Sequence, residues 1–269
     1  MNFQRTVSIL CLASAIAACG DDVDLSHSQS ATLTRVQRQL QKTLDEVDAT
    51  ERAVADLLAV TGIDTPAARV LVGGTCLGRP YAIDCATIDP SGVLRVVEPM
   101  AYRQYEGTDV SGRPGVETLL AADQPVFSDC YPGYGGVLST LIGVPVLRPD
   151  AALTAAMTME LSPVALCGGI IAPDVAGTPL DAWVMQLDGL IVYETDPTQI
   201  GLNLLTDPLY RPYPELVALG ERIAAESSGA GDYSFVVHGT DTVVRKHAVW
   251  DTVSLDGTDW RVVIYQVVP

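Results

Sequence analysis

The chain of 269 residues carries 33 Asp and Glu against 16 Lys and Arg, a formal charge of −17, and 48% of it is hydrophobic. That length and apolar content suffice for one large core or two modest ones. So acidic a surface repels phosphate backbones and anionic headgroups, which argues against nucleic acid as a partner and against electrostatic attachment to lipid.

Residues 1–18 read as a targeting segment. Arg5 supplies the positive start, and Val7 to Ala18 form an apolar stretch too short to span a bilayer. Ile16-Ala17-Ala18-Cys19 resembles the lipobox of bacterial lipoprotein precursors, in which cleavage precedes a cysteine that is then acylated. Lipidation of Cys19 is the expectation, with an ordinary signal peptide cut near Ala18 as the alternative. Each buried methylene adds roughly 0.8 kcal/mol, so several acyl chains on one residue hold a protein firmly. The expected location is the cell envelope, periplasmic or surface-exposed, tethered to the inner or outer membrane.

Residues 19–30 are polar and acidic and read as a linker leading away from the membrane. Over 31–62, Leu33, Val36, Leu40, Leu44, Val47, Val54 and Leu57/Leu58 recur at helical spacings until Gly62 ends the run. Such a helix would be about 45 Å long, so it should line two domains or pair with a second copy in a homodimer. A short helix is predicted over Pro66 to Val72. Ala86 to Glu98 then reads as strand, turn, strand, with Asp89-Pro90-Ser91-Gly92 supplying the turn. A polar stretch, Tyr102 to Arg113, leads into a helix over Pro114 to Ala122. Strands follow near Val126 to Asp129, Leu138 to Leu147 and Ala155 to Leu161.

Pro163 to Pro179, rich in Gly, Ala and Pro, reads as a joining segment. The pattern then repeats: a hairpin over Trp183 to Glu194 with Asp188-Gly189 at its turn, a helix over Tyr213 to Glu226, and strands at Tyr233 to His238, Val244 to Val253 and Trp260 to Val268. Two copies of one supersecondary unit predict two similar modules in tandem, over 63–179 and 180–269. Once the signal peptide leaves and Cys19 is acylated, Cys76, Cys85, Cys130 and Cys167 remain. In an oxidising compartment they predict two disulfides in one of three connectivities, a zinc site being disfavoured by the lack of CxxC spacing.

Hairpin, helix and three further antiparallel strands, twice over behind one helix, resemble the double Cache (PAS-like) domains of bacterial extracellular sensors. Short motifs carry the likeness. Ile88-Asp89-Pro90-Ser91-Gly92-Val93, Gly107 to Pro114, Gln124 to Ser128 and Gly143-Val144-Pro145-Val146 are similar to that family's first module. Asp196 to Gly201, Gly229 to Phe235 and Gly257 to Val263 are similar to its second. The resemblance implies an α+β fold of two PAS-like antiparallel-sheet modules along the helix, the first module membrane-distal and the second membrane-proximal.

It also implies a small polar ligand, a carboxylate or an amine, bound in the first module. Arg113-Pro114 matches the start of the family's pocket helix, although Gly115 and Val116 replace its usual Trp-Tyr. Arg113 would grip a carboxylate, Glu160 would counter an amine, and Tyr102, Tyr105, Asp129, Tyr131 and Tyr134 would line the pocket. The bland alternative is that Arg113 pairs with surface carboxylates and the tyrosines half-bury against the sheet. Gly133 to Gly136 would form a flexible rim. The second module, with no comparable pair, would serve as a spacer.

Asp241, His247 and Ser254 lie in one region without the elbow or spacing of a triad, so no catalytic, cofactor or metal site is expected. No hydrophobic span or output domain is expected after the last strand. The expectation is therefore a sensor that presents its ligand state to a partner protein, with a structural or interaction lipoprotein that has lost its ligand as the competing class.

Overall fold

The long helix predicted near the N-terminus is longer still. In the computed structural model, which describes residues 17–148 and 153–268 (side chains from residue 27), α1 runs over Ala17–Thr61, 45 residues or about 68 Å. Residues 1–16 of the expected signal peptide and the side chain of Cys19 lie outside the described residues. The linker expected over 19–30 is helix instead. No Pro or Gly interrupts the stretch from Asp21 to Thr61, and its described end is held down by tertiary bonds. The Gln29 amide donates to the carbonyls of His247 at 3.0 Å and Ile264 at 2.9 Å.

Leu33, Val36, Leu40, Leu44, Val47 and Leu58 of the predicted stripe are buried, but Ala55 takes the place expected of half-buried Val54, and Leu57 is exposed. Glu51 falls on the same stripe and is fully buried, and neither of its carboxyl oxygens has a partner. Burial, followed by the neighbouring Asp48, pushes its pKa well up.

Two antiparallel sheets lie along this helix. The first contains β1 (Ala82–Ile88), β2 (Leu94–Glu98), β3 (Val126–Phe127), β5 (Leu138–Leu147) and β6 (Leu153–Leu161) in the order β2-β1-β6-β5-β3, with β4 (Tyr131–Pro132) paired to β5. The second contains β7 (Leu180–Gln186), β8 (Ile191–Glu194), β9 (Gly229–Val236), β10 (Val243–Leu255) and β11 (Thr258–Val267) in the order β8-β7-β11-β10-β9. The winding is the same in both: an opening hairpin at one edge, and the last strand of the unit between it and the rest. This is the α+β arrangement that the repeated hairpins predicted.

Between β2 and β3 lie a 3-10 turn (Met100–Tyr105) and α3 (Val116–Ala122), and Tyr134–Gly136 forms another 3-10 turn. Their counterparts in the second unit are the 3-10 turn Pro197–Gln199 and α5 (Pro214–Ala225). Both hairpin turns use an aspartate and a left-handed glycine. Asp89 Oδ1 accepts from the backbone N–H of Ser91 and Val93 before Gly92 at φ 85°. Asp188 Oδ1 accepts from Leu190 N–H beside Gly189 at φ 93°.

The segment read as a joining loop contains a helix, α4 (Pro163–Val175). Ser162 caps it by accepting from Ala165 N–H, and Pro163 occupies the first turn, where its missing donor costs nothing. α2 (Pro66–Cys76) starts the same way, with Thr65 as its cap. Leu166, Cys167, Ile170 and Ile171 of α4 join one apolar core with the α1 stripe, Ile142 and Met157 of the first sheet, and Val184 and Val262 of the second. Each sheet's other face has its own core. Ile88, Val116, Leu119 and Leu141 pack in the first unit, and Trp183, Leu216, Leu219 and Trp250 in the second.

One disulfide forms rather than two. Cys76–Cys85 ties the end of α2 to β1, while Cys130 and Cys167 are free thiols. Cys167 faces the core from α4, and Cys130 is held by its own N–H, which donates to Gln186 Oε1 at 2.6 Å. Burial pushes both thiols up, which keeps them protonated and poorly nucleophilic.

In β9, Gly229 lies flat against the indole of fully buried Trp250, where a Cβ would collide with the ring. Gly229→Ala is expected to destabilise the chain by about 1–3 kcal/mol, because a packed indole has nowhere to move. Chemical denaturation checks this, and an unchanged midpoint would contradict the packing.

Candidate functional site

Strand periodicity decides which side chains meet. Along β6, Ala155, Met157, Met159 and Leu161 face α1, so Ala156 and Glu160 face the opposite side. Along β1, Asp84, Ala86 and Ile88 share that side. The register sets Asp84 directly across from Glu160. Two carboxyls therefore lie side by side on a buried sheet face, 5% and 2% exposed.

Arg113 reaches them from the loop before α3. Its backbone N–H donates to Val110 O, and Gly115 follows at φ 84°, packed against Ser128 and Val126 with no room for a Cβ. The Arg113 guanidinium donates from Nη1 to Glu160 Oε2 at 3.0 Å. The Tyr134 ring covers it, 4.2 Å from guanidinium carbon to ring centre. Tyr105 stacks on Tyr134 at 3.8 Å, and Tyr102 lies 6.3 Å from both rings. Tyr131 enters from β4 and feels the Glu160 charge.

Six of the seven residues expected to bind ligand thus meet in one cluster. The seventh, Asp129, lies at the junction of the two sheets, where it accepts from Gln186 Nε2 at 3.3 Å. The glycine loop lies against this cluster. Gly135 and Gly136 have φ of 68° and 77°, and Gly133 presses against Ser139 and Glu160 so closely that a side chain would not fit.

The cluster holds polar capacity that the chain itself does not use. Glu160 Oε1 and the hydroxyls of Tyr131 and Tyr134 are buried without a hydrogen-bond partner. Burial, reinforced by the Glu160 charge and opposed by Arg113, raises the Asp84 pKa to about 8. At neutral pH Asp84 is therefore largely protonated and able to donate. A guanidinium, a carboxylate, a carboxylic acid and two phenols converge under an aromatic cover. Such a set can hold a carboxylate on Arg113 and an amine on Glu160, with the tyrosine hydroxyls as further contacts.

The residues weighed for catalysis do not assemble. His247 Nδ1 bonds Asp232 at 2.6 Å, and Ser254 Oγ donates to Asp259 at 2.6 Å. Seven residues along β10 separate His247 from Ser254, about 23 Å of strand.

A second polar cluster was missed. The second module, read as a spacer, buries Lys246, Glu194, Gln199 and Tyr265 around a cavity. The period-two signal was present: Lys246, Ala248 and Trp250 alternate on one face of β10, and two of the three belong to the core.

Comparison with known proteins bears on the fold. Residues 42–163 match the family model described as the HK/GC/chemotaxis protein-like sensor domain. No curated protein sequence matches. Among solved structures, an extracellular ligand-binding receptor from Desulfohalobium retbaense superposes with a TM-score of 0.74 at 23% identity, over 87% of this chain and 39% of that one. This chain thus spans about two fifths of that receptor. The ligand-binding domain of the Pseudomonas aeruginosa amino acid chemoreceptor PctB, in complex with L-Arg, gives 0.65 at 18% identity, over 91% and 96% of the two chains. That of the chemoreceptor PctC from the same organism, in complex with GABA, gives 0.61 at 16%, over 93% and 100%. At these identities the likeness establishes the fold. It is that of Cache-type extracellular ligand-binding domains, as the sequence motifs implied.

Proposed function

We propose that this chain is an extracytoplasmic sensor module that binds a small zwitterion or carboxylate in its first unit, at Arg113 and Glu160. The observation that carries the reading is the Arg113–Glu160 pair, roofed by Tyr134 and surrounded by buried polar atoms without a well-aligned hydrogen bond among the described residues. The pair is the closed form of the site: each charge occupies the place that the ligand's opposite charge would take. Two neighbouring folds hold L-Arg and GABA, which carry both charges. The chain is tethered through lipidated Cys19, the first module lies farther from the membrane than the second, and a partner protein reads the ligand state.

A homodimer along α1 has less to rest on. The apolar stripe packs within the chain, and the outer surface near its start carries Thr34, Arg35, Arg38, Gln39 and Lys42.

A thermal-shift screen of amino acids, small carboxylates and amines tests the ligand. A binder at a hundred times its Kd should add about 2.7 kcal/mol of stability, and a panel without any shift would sink the sensor reading in favour of a ligand-free interaction lipoprotein. Cys19→Ala tests the tether. It is expected to move the protein from the membrane to the soluble fraction, and an unmoved protein would refute lipid anchoring at that residue.

A further inference from the structure

The second module contains a buried cation without an ion pair. Lys246 is 6% exposed. Its ammonium donates to Val236 O at 3.2 Å, and among the described residues it forms no salt bridge. Phe235 and Tyr265 flank it, their ring centres 5.4 and 4.8 Å away. An ammonium has three donors, so two hydrogens are left over in a place where water is scarce.

The neighbouring acids are already engaged or neutral. Glu194 is buried, its Oε1 accepts from Thr195 at 2.9 Å and from Tyr265 at 3.1 Å, and burial raises its pKa to about 8. Asp196 accepts from Thr198 and Gln199 and pairs with His238 at 2.7 Å. Asp181 is exposed at the mouth. Lys246 lines a cavity of about 200 Å³ in which Val236, Val267 and Tyr265 alternate with the polar Asp181, Asp196 and His238. A smaller space of about 20 Å³, enough for one water, continues beneath it toward Trp183 and Leu216.

The cavity also has the right place in the fold. It lies on the sheet face turned away from α1, beside the 3-10 turn that follows the opening hairpin, as the Arg113 cluster does in the first module. Asp84 pairs in register with Glu160 there, and Asp181 pairs with Tyr265 here.

From the unpaired ammonium, the cavity that Lys246 lines and the apolar part of its wall, we infer that the second module is itself a binding unit for a small aliphatic carboxylate. The carboxylate oxygens accept the two free Lys246 hydrogens, and the alkyl end packs against Val236, Val267 and the Tyr265 ring. This site is independent of the one at Arg113, and either can fail without the other.

The test is hydrogen–deuterium exchange of the whole folded chain with sodium propionate, propionamide and alanine. Propionate should slow exchange over residues 194–199 and 236–246. Propionamide, of the same shape but uncharged, should bind about tenfold more weakly or worse, and Lys246→Met should lose propionate by the same factor. The methionine keeps the apolar stem and removes a buried charge, so the variant should fold. Alanine protecting the same segments would support the site and show that Asp181 accepts its amine. Protection confined to residues 102–105 and 131–141 would place the carboxylate in the first module and overturn the inference. So would equal binding of propionamide, undiminished binding by Lys246→Met, or no protection at all by propionate.

Discussion

Raising the pH from 5 to 8 is expected to lower the melting temperature steeply. Asp84 and Glu194 hold folded pKa values of about 8, with burial the first cause in each case, against about 3.9 and 4.3 in an unfolded chain. Between those limits the native state keeps protons that the unfolded state releases. Their stabilising contribution is complete below about pH 4 and is lost as the pH rises through 8. Each group contributes a slope on the order of 1.4 kcal/mol per pH unit, an upper bound because water can reach a partly opened carboxyl. Set against typical total stabilities of about 5–15 kcal/mol, two such groups dominate the acid-to-neutral profile. Glu51, whose pKa is also raised, acts in the same direction. Asp196, lowered to about 2, contributes stability that disappears only in stronger acid. Asp84→Asn and Glu194→Gln should each flatten the slope. A melting temperature that is level or rising between pH 5 and 8 would contradict the burial of these carboxyls.

Arg113→Ala is expected to cost roughly 2–3 kcal/mol of stability as well as ligand binding. Breaking one side of a fully buried ion pair costs about 3–5 kcal/mol, because the remaining charge has lost both partner and water. Here the Glu160 side chain is 3% exposed but that of Arg113 is 25% exposed, so solvent moderates the loss. Glu160 Oε1 already lacks a partner, and the substitution would orphan Oε2 too. The double variant Arg113→Ala/Glu160→Gln should recover most of the stability, since no unpaired charge remains, yet still fail to bind. Denaturant melts of the two single variants and the double isolate this coupling. A loss under about 0.5 kcal/mol for Arg113→Ala would mean that the pair behaves as a surface ion pair.

How much of this was legible in the sequence depends on the kind of signal. The hairpins were readable because Asp with Gly at a turn is a local requirement, independent of the rest of the fold. The α1 stripe was readable from its spacing, but Glu51 on that stripe was not, since periodicity predicts an apolar residue there. The Arg113–Glu160 pair came from motif resemblance, for 47 residues of sequence separate its members and only strand pairing joins them. α4 was misread because Gly168, Gly169 and Pro173 look like breakers, while Ser162 and Pro163 form a start signal that deserved more weight. Lys246 was not singled out, because the polar Arg245 and His247 on the opposite face hid its alternation with Trp250.

The hydrogen bonds of Gln186 have a mechanical consequence. This side chain leaves β7, in the second sheet, and takes hold of Cys130 N–H and Asp129 at the start of the segment that carries Tyr131 and Tyr134. Thr258 Oγ1 adds a bond to Phe127 O in the same seam. The segment that carries the tyrosine cover over Arg113 is therefore tied to the other module. Gln186 lies at one end of β7, and Asp181, which lines the cavity at Lys246, lies at the other. The seam between the two sheets is thus held by side chains of the second one, Gln186 on Asp129 and Cys130 and Thr258 on Phe127.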